Sequence, residues 1–244
     1  MGDGSDADGR SRAFWDRAAR EDARWHIATA AAADPDEFAS SGRREVDMFL
    51  AHAGLVPDRS LTVLEIGCGI GRMTARLAEV YGHVIALDVS QVMLDEAAKE
   101  LAGRDNISYV LGSGSDLAGV DSASVDVVFS YIVLQHVPTV AGQLEYFRET
   151  RRVLRPGGTA AIQVPSNTPT ALALDWGGHI AHRVAGHRTL SRAWRGARIP
   201  RTELLAAASG VWANGHSAAG PRATVELRPF GKRHTWVVMQ RAGG

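Results

Sequence analysis

The stretch Leu61-Thr62-Val63-Leu64-Glu65-Ile66-Gly67-Cys68-Gly69-Ile70-Gly71 constrains this chain more than any other. Its first half is a short apolar run of strand length. Its second half places glycine at every other position, and Arg72 to about Tyr81 follows with helical spacing. A strand that passes through glycines straight into a helix opens a βαβ unit. Glycine permits the tight backbone turn and lets the main chain approach a ligand closely. The helix start beyond it offers N–H groups with no partner in the helix.

The same rhythm continues. Val84–Asp88 reads as a second strand, with Ser90 capping a helix to Leu101, and Ile107–Leu111 as a third. Val125–Ser130 reads as a fourth strand, a helix runs from about Val140 to Leu154, and Pro156-Gly157-Gly158 precedes a fifth strand, Thr159–Val164. Strands alternating with helices predict right-handed crossovers and a parallel sheet covered on both faces. After a segment without clear strands at 165–200, Arg201–Ser209 resembles a helix, and Ala223–Leu227 with His234–Gln240 suits a terminal hairpin. Ahead of the sheet, Phe14, Trp15, Ala18, Ala19, Trp25 and Ile27 share one face of a helix from Arg12 to about Ala32. Asp34-Pro35 breaks it, and a second helix is predicted from about Arg43 to Ala53, closing at Gly54. The expected organisation is a disordered tail at 1–12, a helical cap at 13–55 and an α/β doubly wound core at 56–244, with 165–200 as an insertion covering the substrate.

Composition excludes several classes. Among 244 residues, 27 Lys and Arg balance 27 Asp and Glu, so counterion release gives no reason to expect a nucleic-acid partner. No polybasic run argues for an anionic membrane surface, and no apolar run approaches the roughly 20 residues that span a bilayer. The first residues lack the basic and apolar regions of a secretory signal, and Asp6 breaks the myristoylation pattern. One cysteine rules out a disulfide framework or a Cys-rich metal site. A reduced, soluble, cytoplasmic protein is expected.

In an open parallel sheet, ligands bind outside the carboxyl ends of the strands where the connection order reverses. Asp88 closes the second strand, where a carboxylate accepts hydrogen bonds from ribose hydroxyls. The dinucleotide fingerprint would need glycine at position 72, which is Arg72, and the Gly-Lys-Ser/Thr of a phosphate loop is absent. A nucleoside whose tail is not phosphate fits this pattern. Leu64-Glu65-Ile66-Gly67-Cys68-Gly69-Ile70-Gly71-Arg72 resembles the first motif of class I methyltransferases that use S-adenosylmethionine. The resemblance continues in order through Ala86–Leu94, Val125–Pro138 and Arg152–Gly158. It implies a Rossmann-like, seven-stranded sheet whose terminal strand is reversed.

The resemblance also implies roles. Gly67, Cys68 and Gly69 pack on the methionine and ribose of the cofactor, Asp88 binds the ribose, and Val89 and Met93 lie against the adenine. The loop with Ser113, Gly114 and Ser115 borders the adenine edge, with the Gly114 N–H as donor; Ser113 stands where many relatives carry an acid. Glu65 is either a cofactor-side acid or a plain strand-end residue, and Ser130 holds the methionine ammonium through its carbonyl. His136 is the catalytic base candidate, because imidazole suits proton removal near neutral pH, or else packs beside the site. Tyr131, Gln135 and Trp15 are candidates for contact with the acceptor. Arg43, Arg44 and Arg72 are either partners of the methionine carboxylate or solvated arginines. His179, His182 and His187, near Asp175, lack the H-E-x-x-H pattern, and no metal site is expected.

The implied activity is in-line transfer of the methyl group of S-adenosylmethionine to an O or N atom of a small-molecule acceptor, with bacterial secondary metabolism as a setting. Non-methylating chemistry on the same cofactor, and a non-catalytic binding protein on the same fold, remain as alternatives.

Overall fold

Five segments pair in parallel; the central ones are buried on both faces, while the edge segment Ile107–Leu111 is only half-buried. The computed structural model describes residues 4–28, 30–166, 197–211 and 220–243. The strands are β1 (Thr62–Ile66), β2 (His83–Asp88), β3 (Ile107–Leu111), β4 (Val125–Ser130), β5 (Leu154–Pro165), β6 (Ala223–Phe230) and β7 (His234–Arg241). They form one sheet in the order β3-β2-β1-β4-β5-β7-β6. β7 runs antiparallel to β5 and pairs with β6 as a hairpin, which is the expected reversed end. The order reverses between β1 and β4, so a crevice opens at the carboxyl ends of those two strands.

Helices α1 (Gly4–Ala28), α2 (Pro35–Ala53), α3 (Thr74–Val80), α4 (Gln91–Glu100), α5 (Val140–Val153) and α6 (Arg201–Ser209) surround the sheet. One face of the sheet packs Leu64, Ile66, Val128 and Ile162 with Phe147 of α5. The other packs Val63, Phe129 and Trp236 with Phe49 and Leu50 of α2 and Leu77 of α3. At about 25 cal/mol per Å² of apolar surface removed from water, these two layers are the main source of stability. Among the described residues, no helix is long and apolar enough to cross a membrane.

Three expectations about the first 55 residues are corrected. The stretch 1–12 was expected to be a tail, yet α1 starts at Gly4. Long-range bonds reward the added turns: the Arg12 guanidinium donates to the Val89 carbonyl at 3.2 Å and to the Gly112 carbonyl at 3.0 Å. α1 is also interrupted at Asp22, whose backbone is extended and whose carboxylate accepts from the Trp25 N–H at 3.0 Å, capping a second helical piece. Asp34-Pro35 does not end α1, which stops at Ala28 rather than near Ala32. Asp34 is the N-cap of α2, accepting from the N–H groups of Asp36 and Glu37, and Pro35 takes the first turn, so α2 begins well before Arg43. The expected metal question at Asp175, His179, His182 and His187, and most of the 165–200 insertion, lie outside the described residues.

Candidate active site

The glycine turn is knitted to the end of β2. The N–H groups of Gly67 and Cys68 donate to the Leu87 carbonyl at 2.7 and 3.1 Å. The Gly69 N–H donates to Asp88 Oδ2 and the Ser90 N–H to Asp88 Oδ1, each at 2.9 Å. Gly67 and Gly69 have φ of 76° and 55°, the left-handed region. A Cβ on Gly67 would lie 2.3 Å from Val133 Cγ2, and one on Gly69 2.7 Å from Cδ1 of Ile27. The residue types at 67 and 69 are therefore dictated twice, by backbone conformation and by close approach.

Above the turn is a cleft of about 980 Å³, counting its solvent-open mouth. Its floor is the glycine turn, Leu87, Asp88, Val89 and Met93; its walls include Glu65, Arg72, Tyr131 and Val133; its roof is Ser11, Trp15, His26 and Ile27 of α1. α1 is fastened there by Arg12 and by Asp16, whose carboxylate accepts from the Ser90 hydroxyl at 2.6 Å. The cleft is apolar with a few converging polar groups, the usual make-up of a small-ligand site.

Two buried carboxylates face one another electrostatically. Glu65 is 3% exposed, and burial pushes its carboxyl up to about 7; the Thr74 hydroxyl, 2.5 Å away, and the Arg72 charge oppose that push, while Asp88 adds to it. Burial likewise raises Asp88, against the backbone N–H groups of Ser90, Gly69 and Val89. Cys68 is buried and its thiol pushed well up by burial, so it is a packing residue rather than a nucleophile.

A short 3-10 turn, Leu134–His136, follows β4. Trp15 meets the His136 ring edge to face, with centroids 5.3 Å apart. Gln135 Nε2 stands 3.2 Å from His136 Nε2, and Gln135 Oε1 stands 3.3 Å from His234 Nε2, so Gln135 lies behind His136 rather than in the cleft lining. Tyr131 stacks on Trp236 and packs on Phe49, and burial pushes its hydroxyl up to about 12. Ile132 has φ of 55°, held by its N–H donating to Gln163 Oε1 at 3.1 Å. A bulky residue in that conformation is strained, and the strain sits at the cleft wall.

Of the residues singled out in the sequence, Glu65, Gly67, Cys68, Gly69, Asp88, Val89, Met93, Gly114, Tyr131, His136 and Trp15 line one cleft. Ser113, Ser115 and Ser130 do not. The Ser113 hydroxyl donates to Asp116 at 2.7 Å and accepts from the N–H groups of Ser115 and Asp116, which commits it to its own turn. Ser130 is fully buried, its hydroxyl 3.4 Å from the Ile66 carbonyl. Arg43 and Arg44 pair with Glu79 and Glu37 away from the cleft. Sequence reasoning did not pick out His26, Ile27 and Tyr146 as site residues; Ile27 on the apolar face of α1 was the one available signal.

Residues 64–162 match the family model described as a methyltransferase domain. Over that segment the chain resembles methyltransferase domains. Among curated relatives of this chain, trans-aconitate 2-methyltransferase of Azoarcus sp. (strain BH72) is 35% identical over 161 residues, covering 64% of this chain and 59% of that protein. Ubiquinone biosynthesis O-methyltransferase of Xanthomonas campestris pv. campestris (strain B100) is 32% identical over 113 residues, 46% of each. The chain thus spans about half the length of the curated relatives it matches. Two solved structures share the fold of this chain. Haemonchus contortus phosphoethanolamine N-methyltransferase 1, in complex with phosphoethanolamine and S-adenosylhomocysteine, has a TM-score of 0.65 at 18% identity, covering 98% of this chain and 49% of that one. N-methyltransferase NodS from Bradyrhizobium japonicum WM9, in complex with S-adenosylhomocysteine, has 0.60 at 14%, covering 95% and 98%.

The residues present fit S-adenosylmethionine as the cofactor. The turn has no Cβ at Gly67 or Gly69, Asp88 is held at the strand end, and Val89 and Met93 offer apolar surface at the same wall.

Proposed function

We propose that this protein transfers the methyl group of S-adenosylmethionine to an O or N atom of a small-molecule acceptor. The observation that carries the reading is the roofed cleft that Asp88 and the glycine turn share with His136 and Trp15. When bound, the cofactor supplies a methyl carbon already activated by its sulfonium. The protein's part is alignment and exclusion of water. Asp88, at the β2 end, would bind the ribose hydroxyls, the glycine turn would leave room for the methionine tail, and Val89 and Met93 would offer the base an apolar surface. Trp15, fastened over His136 by α1, closes the acceptor side, and His136 accepts the proton of a hydroxyl or cationic amine.

Support for a small acceptor comes from relatives named for trans-aconitate and for ubiquinone biosynthesis. A zero formal charge gives no basis for a nucleic-acid acceptor. The buried, unpaired Cys68 fits a reducing, cytoplasmic setting, and a place in secondary metabolism belongs to the same proposal.

The experiment is calorimetric titration with S-adenosylmethionine and S-adenosylhomocysteine, followed by incubation of the protein with metabolite extracts and cofactor carrying a deuterated methyl group. A small molecule that gains the label supports the reading. Cofactor consumption with no labelled product would replace it with cyclisation or elimination, and absence of cofactor binding with a non-catalytic role.

A further inference from the structure

S-adenosylmethionine ends in an amino acid, and its carboxylate needs a cation inside a cleft that already holds two buried acids, Glu65 and Asp88. Arg43 and Arg44 are spent on Glu79 and Glu37 outside it. Among the described residues that line the cleft, Arg72 is the only arginine or lysine.

Arg72 is built as a fixed donor. It is 8% exposed in the turn just ahead of α3, directly after the third glycine. One terminal nitrogen donates to the Ser41 hydroxyl at 3.0 Å, the other to Glu45 at 2.7 Å, and the guanidinium lies over the Phe38 ring at 5.8 Å. α2 comes so close at Gly42 that a Cβ there would lie 2.4 Å from the Arg72 carbonyl oxygen. With both terminal nitrogens held by α2, the guanidinium plane cannot swing away. Its third nitrogen, Nε, is buried and has no hydrogen-bond partner among the described residues. Buried donors are almost always satisfied, and one that is not calls for an explanation such as a missing ligand.

We propose that Arg72 Nε receives the methionine carboxylate of the cofactor, with Glu65 on the neighbouring wall toward the ammonium. Arg72 is then a cofactor-binding residue, and Ser41, Glu45 and Phe38 are positioning residues that hold its plane. The first helix of the cap acts as roof, while the second supplies the scaffold for the tail of the cofactor. A lysine at 72 would keep the charge but not the planar fork that α2 grips.

The test separates the tail from the nucleoside. Wild type, Arg72→Gln and Arg72→Lys are titrated with S-adenosylhomocysteine and with 5′-methylthioadenosine, which lacks the amino-acid tail; circular dichroism checks the fold. Arg72→Gln is expected to weaken S-adenosylhomocysteine about ten- to a hundredfold, as for loss of a charged hydrogen bond, and to change 5′-methylthioadenosine by less than about threefold. Equal weakening of both ligands, or no weakening of S-adenosylhomocysteine, overturns the proposal. If neither variant folds, wild type is titrated with S-adenosylmethionine and its decarboxylated form. At least about a tenfold penalty for the missing carboxylate supports the assignment, and equal affinity overturns it. Wild type that binds no adenosyl ligand at all defeats the cofactor reading itself, a result distinct from any of these.

Discussion

The Gly69 N–H donates to Asp88 Oδ2 at 2.9 Å, which ties the glycine turn after β1 to the acid that ends β2. The other Asp88 oxygen accepts from the Ser90 N–H, so one carboxylate organises both the turn and the start of α4. The acid expected to bind ribose is thus a structural element of the site before any ligand arrives.

Asp88→Ala therefore has two effects. It strands buried backbone donors, which lowers stability by about 1–3 kcal/mol, and it abolishes measurable cofactor binding. Urea unfolding read beside calorimetry checks both. A variant as stable as wild type would show that the Gly69 and Ser90 bonds contribute nothing net, and unchanged affinity would remove Asp88 from the ribose site.

Gly69→Ala places a methyl group against Ile27 at a backbone conformation of φ 55°. A loss of more than about 1 kcal/mol is expected, together with looser packing of α1. The combined change with Ile27→Ala should recover part of the packing loss but none of the backbone strain. Full recovery would mean that the clash, and not the φ, governs position 69.

Glu65 makes stability depend on pH. In the unfolded chain its carboxyl loses its proton near 4.5, and in the folded chain near 7. Between those values the folded state holds the extra proton, so stability falls as pH rises through the window and levels off above it. Asp88, also raised, adds in the same direction. Glu65→Gln should flatten the slope between pH 4.5 and 7, measured by chemical unfolding at a series of pH values. An unchanged slope would mean that Glu65 is not buried as described.

His136→Ala should lower kcat by about a hundredfold or more while cofactor affinity stays within a few-fold, since His136 comes from the turn after β4 and not from the glycine turn or the β2 end. Turnover equal to wild type would reduce His136 to a packing partner of Trp15.

Arg12→Ala should speed amide hydrogen exchange throughout α1, because it removes two bonds that join the helix to the loops after β2 and β3. Exchange confined to the first turn would show that Asp16 and the apolar contacts hold the roof unaided.

How much of this was legible beforehand varies with the range of the interactions. β3 and β4 and α6 fall at the expected residues, because short apolar runs bounded by turn residues carry their own signal. The glycine turn and Asp88 were legible for the same reason: each requirement is a matter of a residue's own backbone or its place at a strand end. Ser113 misled because its hydroxyl has a closer partner in Asp116, a local competition that family position does not reveal.

By itself, then, the sequence determined the alternation of strands and helices, the family motif and the floor of the site. Only the tertiary structure decided that residues ahead of 13 belong to the roof, that Asp34-Pro35 starts α2, and that Arg72, rather than Arg43 or Arg44, lies at the cleft. The physical reason is that these depend on partners far along the chain. Arg12 reaches 77 and 100 residues away, and Arg72 reaches back 31 to Ser41. Helix periodicity and capping are written within a few residues, whereas the value of a buried charge depends on which distant groups the sheet and its covering helices bring beside it.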